Sequence, residues 1–251
     1  MTSTADDDSI DGQSTDPLPP VVEHHHRNVQ GGAARAAVFG VSDGLVSNVS
    51  LILGIAGAGS SAASVRLAGL AGLVAGSVSM AAGEYVSMKA QSELLERELE
   101  MERIELRRNP NVEIAELAQI YQSRGIDPDA ALVMARSVMH DPKLALETHA
   151  REELGINPDS LGSPVAAAAA SLCAFAVGAF LPLLPWLFTS GTAATVGSVV
   201  LGIVGALAVG TALAGFTGRS RLFSAGRQLA IAVLAASVTY LVGRAVGVGV
   251  S

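Results

Sequence analysis

The side chains of this sequence that could do chemistry fall into two sets, and both are built from metal-ligand types. The larger set is acidic. Glu98, Glu102 and Glu105 are spaced by four and three residues, so on a helix they form one stripe. Glu113 and Glu116 are three apart and make a second pair. Glu152 and Glu153, with His149 three and four residues earlier, make a third group. A single glutamate on a solvated helix usually does no more than pair with a cation, and Arg97, Arg103 and Arg107 are at hand. Three acidic groups on successive helices are harder to dismiss. Folded together they give an oxygen-rich cage for hard or borderline divalent cations. Without metal, such carboxylates raise each other's pKa, so binding competes with protons.

The smaller set lies in apolar sequence. Asp43 sits in GVSDGLVSN, with Ser42, Ser47 and Asn48 as further oxygen groups nearby. A carboxylate at a bilayer centre costs about 2.5–3.5 kcal/mol on insertion scales, so it is expected to face protein or water and to carry function. Met80 and Glu84 are four apart in SVSMAAGEYVSMK and share a helix face. A thioether beside carboxylates makes a mixed site that can hold a transition metal without trapping it. Gly40 and Gly44, also four apart, allow a close helix contact beside Asp43.

These residues need long apolar helices to position them, and the composition supplies them. Half of the 251 residues are hydrophobic, 16% are charged and mean hydropathy is +0.44, high for a soluble domain. The expected fold is an all-α membrane protein with five transmembrane helices. The spans are expected near residues 33–58, 65–88, 164–181, 192–216 and 225–248, each long enough for the roughly 20 residues a bilayer needs. Gly59-Ser60-Ser61 makes the first turn, and Pro182 and Pro185 are expected to close the third span. No Pro or Gly interrupts Glu84 to Asn109, so the second span is continuous with the first helix of a soluble insert. The domain layout is then a disordered tail over 1–29, spans one and two over 30–89, a helical metal-binding insert over 90–162 and spans three to five over 163–251.

Within the insert, Gly125 reads as a helix C-cap, and Asp127-Pro128 and Asp141-Pro142 each read as an N-cap followed by a first-turn proline. Arg27, Arg35, Lys89, Arg97, Arg103, Arg107, Arg108, Arg219, Arg221 and Arg227 fall on one side if the N-terminus is cytoplasmic; Arg66 and Arg244 are exceptions. With five spans, the C-terminus is then outside. His24, His25 and His26 read as a solvated, weakly metal-binding patch. The lone Cys173 excludes a disulfide framework, and a net charge of −7 gives no reason to expect nucleic-acid binding.

GVSDGLVSNVSLILGIAGA, SVSMAAGEYVSMKAQSE and the Glu-rich insert ending EELGI together resemble the vacuolar iron transporter family, over Ala33 to the C-terminus. The resemblance implies a homodimer of five-span subunits exchanging ferrous iron, and sometimes manganese, for protons. It implies that Asp43, Met80 and Glu84 line the membrane path, and that Glu102, Glu105, Glu113, Glu116 and Glu153 bind metal in the cytoplasm. Where that family usually has methionine before the ELG motif, this chain has His149-Ala150-Arg151-Glu152, so His149 or Glu152 is expected to take that ligand role.

The function expected is therefore proton-coupled export of Fe²⁺ or Mn²⁺ from the cytoplasm by a lipid-embedded, non-enzymatic antiporter. Co²⁺ and Zn²⁺ are further candidate substrates, and no permanently bound cofactor is expected. A bacterial cytoplasmic membrane is the expected location. Two alternatives need no transport: a membrane-anchored metal sensor, and a di-iron oxidase. The oxidase is disfavoured because Ser137 and Leu146 stand three residues before His140 and His149, where a Glu-x-x-His motif would place glutamate.

Overall fold

The computed structural model describes residues 32–155 and 162–248. The expected N-terminal tail and the His24–His26 run lie outside the described residues. Among those described, every regular element is helical. The helices are α1 (Gly32–Gly57), α2 (Ala62–Arg108), α3 (Pro110–Ser123), α4 (Pro128–Val138), α5 (Pro142–Glu152), α6 (Pro164–Phe188), α7 (Gly191–Thr217) and α8 (Arg221–Val248). Five of them, α1, α2, α6, α7 and α8, are long and apolar enough to cross a membrane. The chain is an all-α, multi-pass integral membrane protein.

Local chemistry sets most boundaries. Ser61 caps α2 by accepting from the Ser64 N–H, and Gly59 takes the left-handed backbone (φ 75°) that the α1–α2 turn requires. Ser163 caps α6 ahead of Pro164. Asp127 and Asp141 cap α4 and α5 through their carboxylates, each followed by a proline at the first helical position. Gly125, at φ 92°, ends the α3 turn.

α1 is the central strut of the bundle. It packs most extensively on α6 and also touches α2, α7 and α8. The α1–α6 approach is backbone to backbone. A Cβ on Gly44 would stand 2.2 Å from the Phe175 carbonyl oxygen, and one on Gly178 2.2 Å from that of Val41. Small residues therefore set this contact, as expected where lipid offers no hydrophobic drive for association. Ile52, Val65, Leu183, Trp186 and Ala194 form the apolar core at the far end.

α6 does not stop at Pro182. It runs through Pro182 and Pro185 to Phe188, seven residues beyond the expected end at 181. A proline removes one N–H and crowds the preceding turn. Here neighbouring helices donate into that stretch: Asn48 Nδ2 to the Ala179 carbonyl (2.6 Å) and Ser198 Oγ to the Pro182 carbonyl (2.6 Å). The carbonyls that lose a helical donor to the two prolines are those of Gly178 and Leu181, so these bonds tie the stretch to α1 and α7 rather than replace what the prolines remove.

The two ends of the bundle are distinguishable. At one, Gly32, Gly162 and the Met88 thioether converge, so the start of α1 lies beside the point where α2 leaves the spanning region. At the other, Gly247 meets Ala58. The N-terminal end and the insert thus share one side, and the end of α8 lies on the opposite side. The insert has its own small core of Leu117, Ala118, Tyr121, Ala131 and Ala135, with α5 packed back onto α2.

Candidate metal centre

The insert folds its acids around one histidine. The His149 side chain, fully buried, points Nδ1 at three carboxylates: Glu102 Oε1 at 3.2 Å, Glu153 Oε2 at 3.5 Å and Glu113 Oε2 at 3.6 Å. Glu102, Glu113, His149 and Glu153 each offer a ligand atom, all within 4.8 Å of one another. They come from α2, α3, α5 and the residue that closes α5. Helix packing, not a loop, sets their geometry. α5 packs on α2, and His149 lies among its buried residues with Ala145 and Ala150.

Three members of the cage are buried, and Glu153 stands at its exposed edge. Glu102 is 3% exposed and Glu113 4%. Glu102 Oε1 and both ring nitrogens of His149 are buried without a hydrogen-bond partner among the described residues. Orphaned polar atoms of this kind are costly unless something occupies the space between them. Three carboxylate oxygens and one imidazole nitrogen suit a borderline divalent transition metal.

Electrostatics agree. Burial, reinforced by Glu153, Glu113, Glu105 and Glu116, pushes the Glu102 carboxyl up to about 7. Burial also raises Glu113, with Glu116, Glu153 and Glu105 adding to it. A divalent cation would relieve all of these repulsions at once.

The other expected ligands are placed differently. Glu105 and Glu116 are exposed, close enough to perturb Glu102 but outside the group of four. Glu98 is half-buried on α2, outside the same group. Of the two candidates for the position before the ELG motif, His149 enters the cage, whereas Glu152 pairs with Arg124.

In the spanning region, Asp43 lies on an exposed ridge of α1 with Phe39, Ser47 and Leu51. Two of the oxygen groups noted near it face elsewhere: Ser42 accepts from Gln228 Nε2 (2.7 Å) and Asn48 turns to α6. Ser47 Oγ donates back to the Asp43 backbone carbonyl. Met80 and Glu84 are half-buried on α2. Glu84 is not free: Arg35 Nη2 stands 2.9 Å from its Oε1. Sequence reasoning had used Arg35 only for orientation, and nothing local in the sequence marks a partner 49 residues away.

The profile of the VIT family matches residues 34–244. The chain is 37% identical to the vacuolar iron transporter of Acanthamoeba castellanii over 233 residues, covering 90% of this chain and 84% of that protein. It is 32% identical to vacuolar iron transporter 2 of Oryza sativa subsp. japonica over 226 residues, 89% of this chain and 92% of the relative. Against vacuolar iron transporter 1 of Arabidopsis thaliana it is 30% identical over 247 residues, 97% and 99% of the two chains.

Proposed function

The chain belongs to the VIT family of membrane transporters, and we propose that it moves Fe²⁺, with Mn²⁺ as a second cargo, out of the cytoplasm in exchange for protons. The observation that carries this reading is the Glu102–Glu113–His149–Glu153 cage, three of its members buried, whose Glu102 stands on the helix that continues, without a break, the span holding Met80 and Glu84. Residues 90–162 act as the metal-collecting domain. Glu105 and Glu116, exposed beside the cage, draw cations toward it.

From the cage the cation passes along α2 to Glu84 and Met80, and then to Asp43. A carboxylate releasing a divalent cation becomes able to take up a proton, and that exchange is the basis of the coupling. Asp43 lies on a ridge exposed in the single subunit, and an acid facing lipid is unfavourable. We therefore assign that ridge to the interface of a two-fold homodimer, whose two copies enclose the path. The Lys and Arg near the spans support a cytoplasmic insert and N-terminal end. Export across a bacterial cytoplasmic membrane and loading of a vacuole both remove cargo from the cytoplasm, so the relatives' names are compatible with either location.

The test is flux in proteoliposomes loaded with a fluorescent Fe²⁺ indicator. Uptake driven by an imposed pH gradient is expected. Uptake indifferent to that gradient would refute the exchange, and binding without uptake would refute transport.

A further inference from the structure

The insert contains a second cavity, of about 620 Å³, that none of the four cage residues lines. It opens between the end of α2, the start of α3, the α4–α5 turn and the start of α5. Its charged lining is of one sign. Arg103, Arg107, Arg136 and Lys143 line it beside His140, and no carboxylate does. That is unexpected in a chain of net charge −7, within its most acidic region.

The nearby acids are otherwise engaged. Asp141 caps α5 by accepting from the Lys143 and Leu144 N–H groups. Glu100 pairs with Arg103, and Glu147 with Lys143. Arg107 and Arg136 join no ion pair among the described residues, although both line the cavity. Two guanidinium groups without an ion-pair partner among the described residues thus face one space, where a single anion can engage both. Leu106, Ile114 and Leu146 give the same cavity an apolar wall.

We propose that this cavity binds a small organic phosphate with an apolar or aromatic body, of nucleotide size. Guanidinium groups recognise phosphate oxygens through paired N–H donors, and the apolar wall takes the body. The volume lies within the roughly 300–1,000 Å³ of small-molecule sites. The ligand is soluble rather than a headgroup of the surrounding bilayer. Arg103 and Arg107 lie 15 and 19 residues beyond Met88 on one unbroken helix, roughly 22–28 Å farther out at 1.5 Å per residue. The proposal is independent of the transport reading, because neither needs the other.

The test is isothermal titration of the metal-free full chain with ADP, in nanodiscs of phosphatidylcholine alone and of phosphatidylcholine with phosphatidylglycerol. ADP is expected to bind with a Kd below about 100 µM, at least tenfold tighter than inorganic phosphate, and equally in both nanodiscs. The Arg107→Gln/Arg136→Gln double variant should lose at least tenfold while still binding Co²⁺ at the cage, which reports that the insert is folded. Glu113→Gln should leave ADP binding unchanged. No ADP binding at 5 mM, equal binding by the double variant, or displacement by the anionic lipid would each overturn the proposal.

Discussion

Arg35 and Glu84 form an ion pair, Nη2 to Oε1 at 2.9 Å, that ties the first turn of α1 to α2 at the side where the insert leaves the bundle. Its two members are unequally wet: the Glu84 side chain is 18% exposed and that of Arg35 54%. The carboxylate is therefore the committed partner, and the guanidinium can swing away at little cost. On the proposed path, a cation arriving at Glu84 must displace that guanidinium. On that path the pair would be a charge-balanced latch whose cation is exchanged for cargo.

Replacing Arg35 by Gln removes the competitor. An ion pair this open to solvent contributes roughly 1 kcal/mol or less, so the variant should fold and reconstitute normally. Initial rates of Fe²⁺ uptake in proteoliposomes should give a KM several-fold lower than that of the parent protein, and Arg35→Lys should restore the parent value. An unchanged KM for Arg35→Gln would take Glu84 off the path.

Asp43 calls for the opposite comparison, function lost with structure kept. Asp43 is exposed within one subunit, unlike the neighbouring Gly44, which sits against Phe175. Asp43→Asn preserves shape and removes the charge. Uptake of Fe²⁺ should fall to the rate of empty liposomes, with the thermal transition of the purified protein unchanged within a degree or two. A variant that still transports at half the parent rate would exclude the carboxylate as a stepping stone.

Much of this architecture was legible because its determinants are local. Asp127-Pro128, Asp141-Pro142 and Gly125 state where the insert helices begin and end, and the structure places them there. Gly40 and Gly44 announced a close contact, now seen with α6. What escaped depends on partners distant in sequence. Pro182 looked like a terminator because the bonds that hold its stretch in place come from Asn48 and Ser198 on other helices. Ser42 and Asn48 looked like companions of Asp43 because spacing alone does not reveal Gln228 or Ala179. Glu102 and Glu105 share a stripe, yet lie about 60° apart around the helix. Only the landing of α5 decides that Glu102 is enclosed and Glu105 left in water.

His149 supplies the only nitrogen of the candidate cage among the described residues. Truncating it to Ala leaves three carboxylates facing a void. Co²⁺ titration of the detergent-purified protein should show affinity reduced at least tenfold, about 1.4 kcal/mol. His149→Met should recover part of it. It should also narrow the gap between Co²⁺ and Mn²⁺, since imidazole favours the later metal more than a thioether beside carboxylates does. Parent-like Co²⁺ binding by His149→Ala would show that the imidazole is no ligand.

The raised Glu102 carboxyl makes a prediction about stability whose sign depends on metal. In the unfolded chain this group titrates at the ordinary value of 4.5; in the folded protein burial first, then the surrounding carboxylates, moves it to about 7. The folded state therefore binds the proton more tightly. Its contribution to stability is fully present below 4.5, declines as pH rises, and is gone above about 7. Metal-free protein should melt at a higher Tm at pH 5 than at pH 8. Glu102→Gln, which cannot ionise, should flatten that dependence and raise Tm at pH 8. Saturating Co²⁺ should reverse the trend in the parent protein, because the cation needs the ionised carboxylate and is displaced by protons as pH falls below about 7. Calorimetric scans at the two pH values, with and without Co²⁺, decide the matter. A metal-free Tm that rises from pH 5 to pH 8, and does so equally in Glu102→Gln, would mean that the cage carboxylates are not held together as the structure places them.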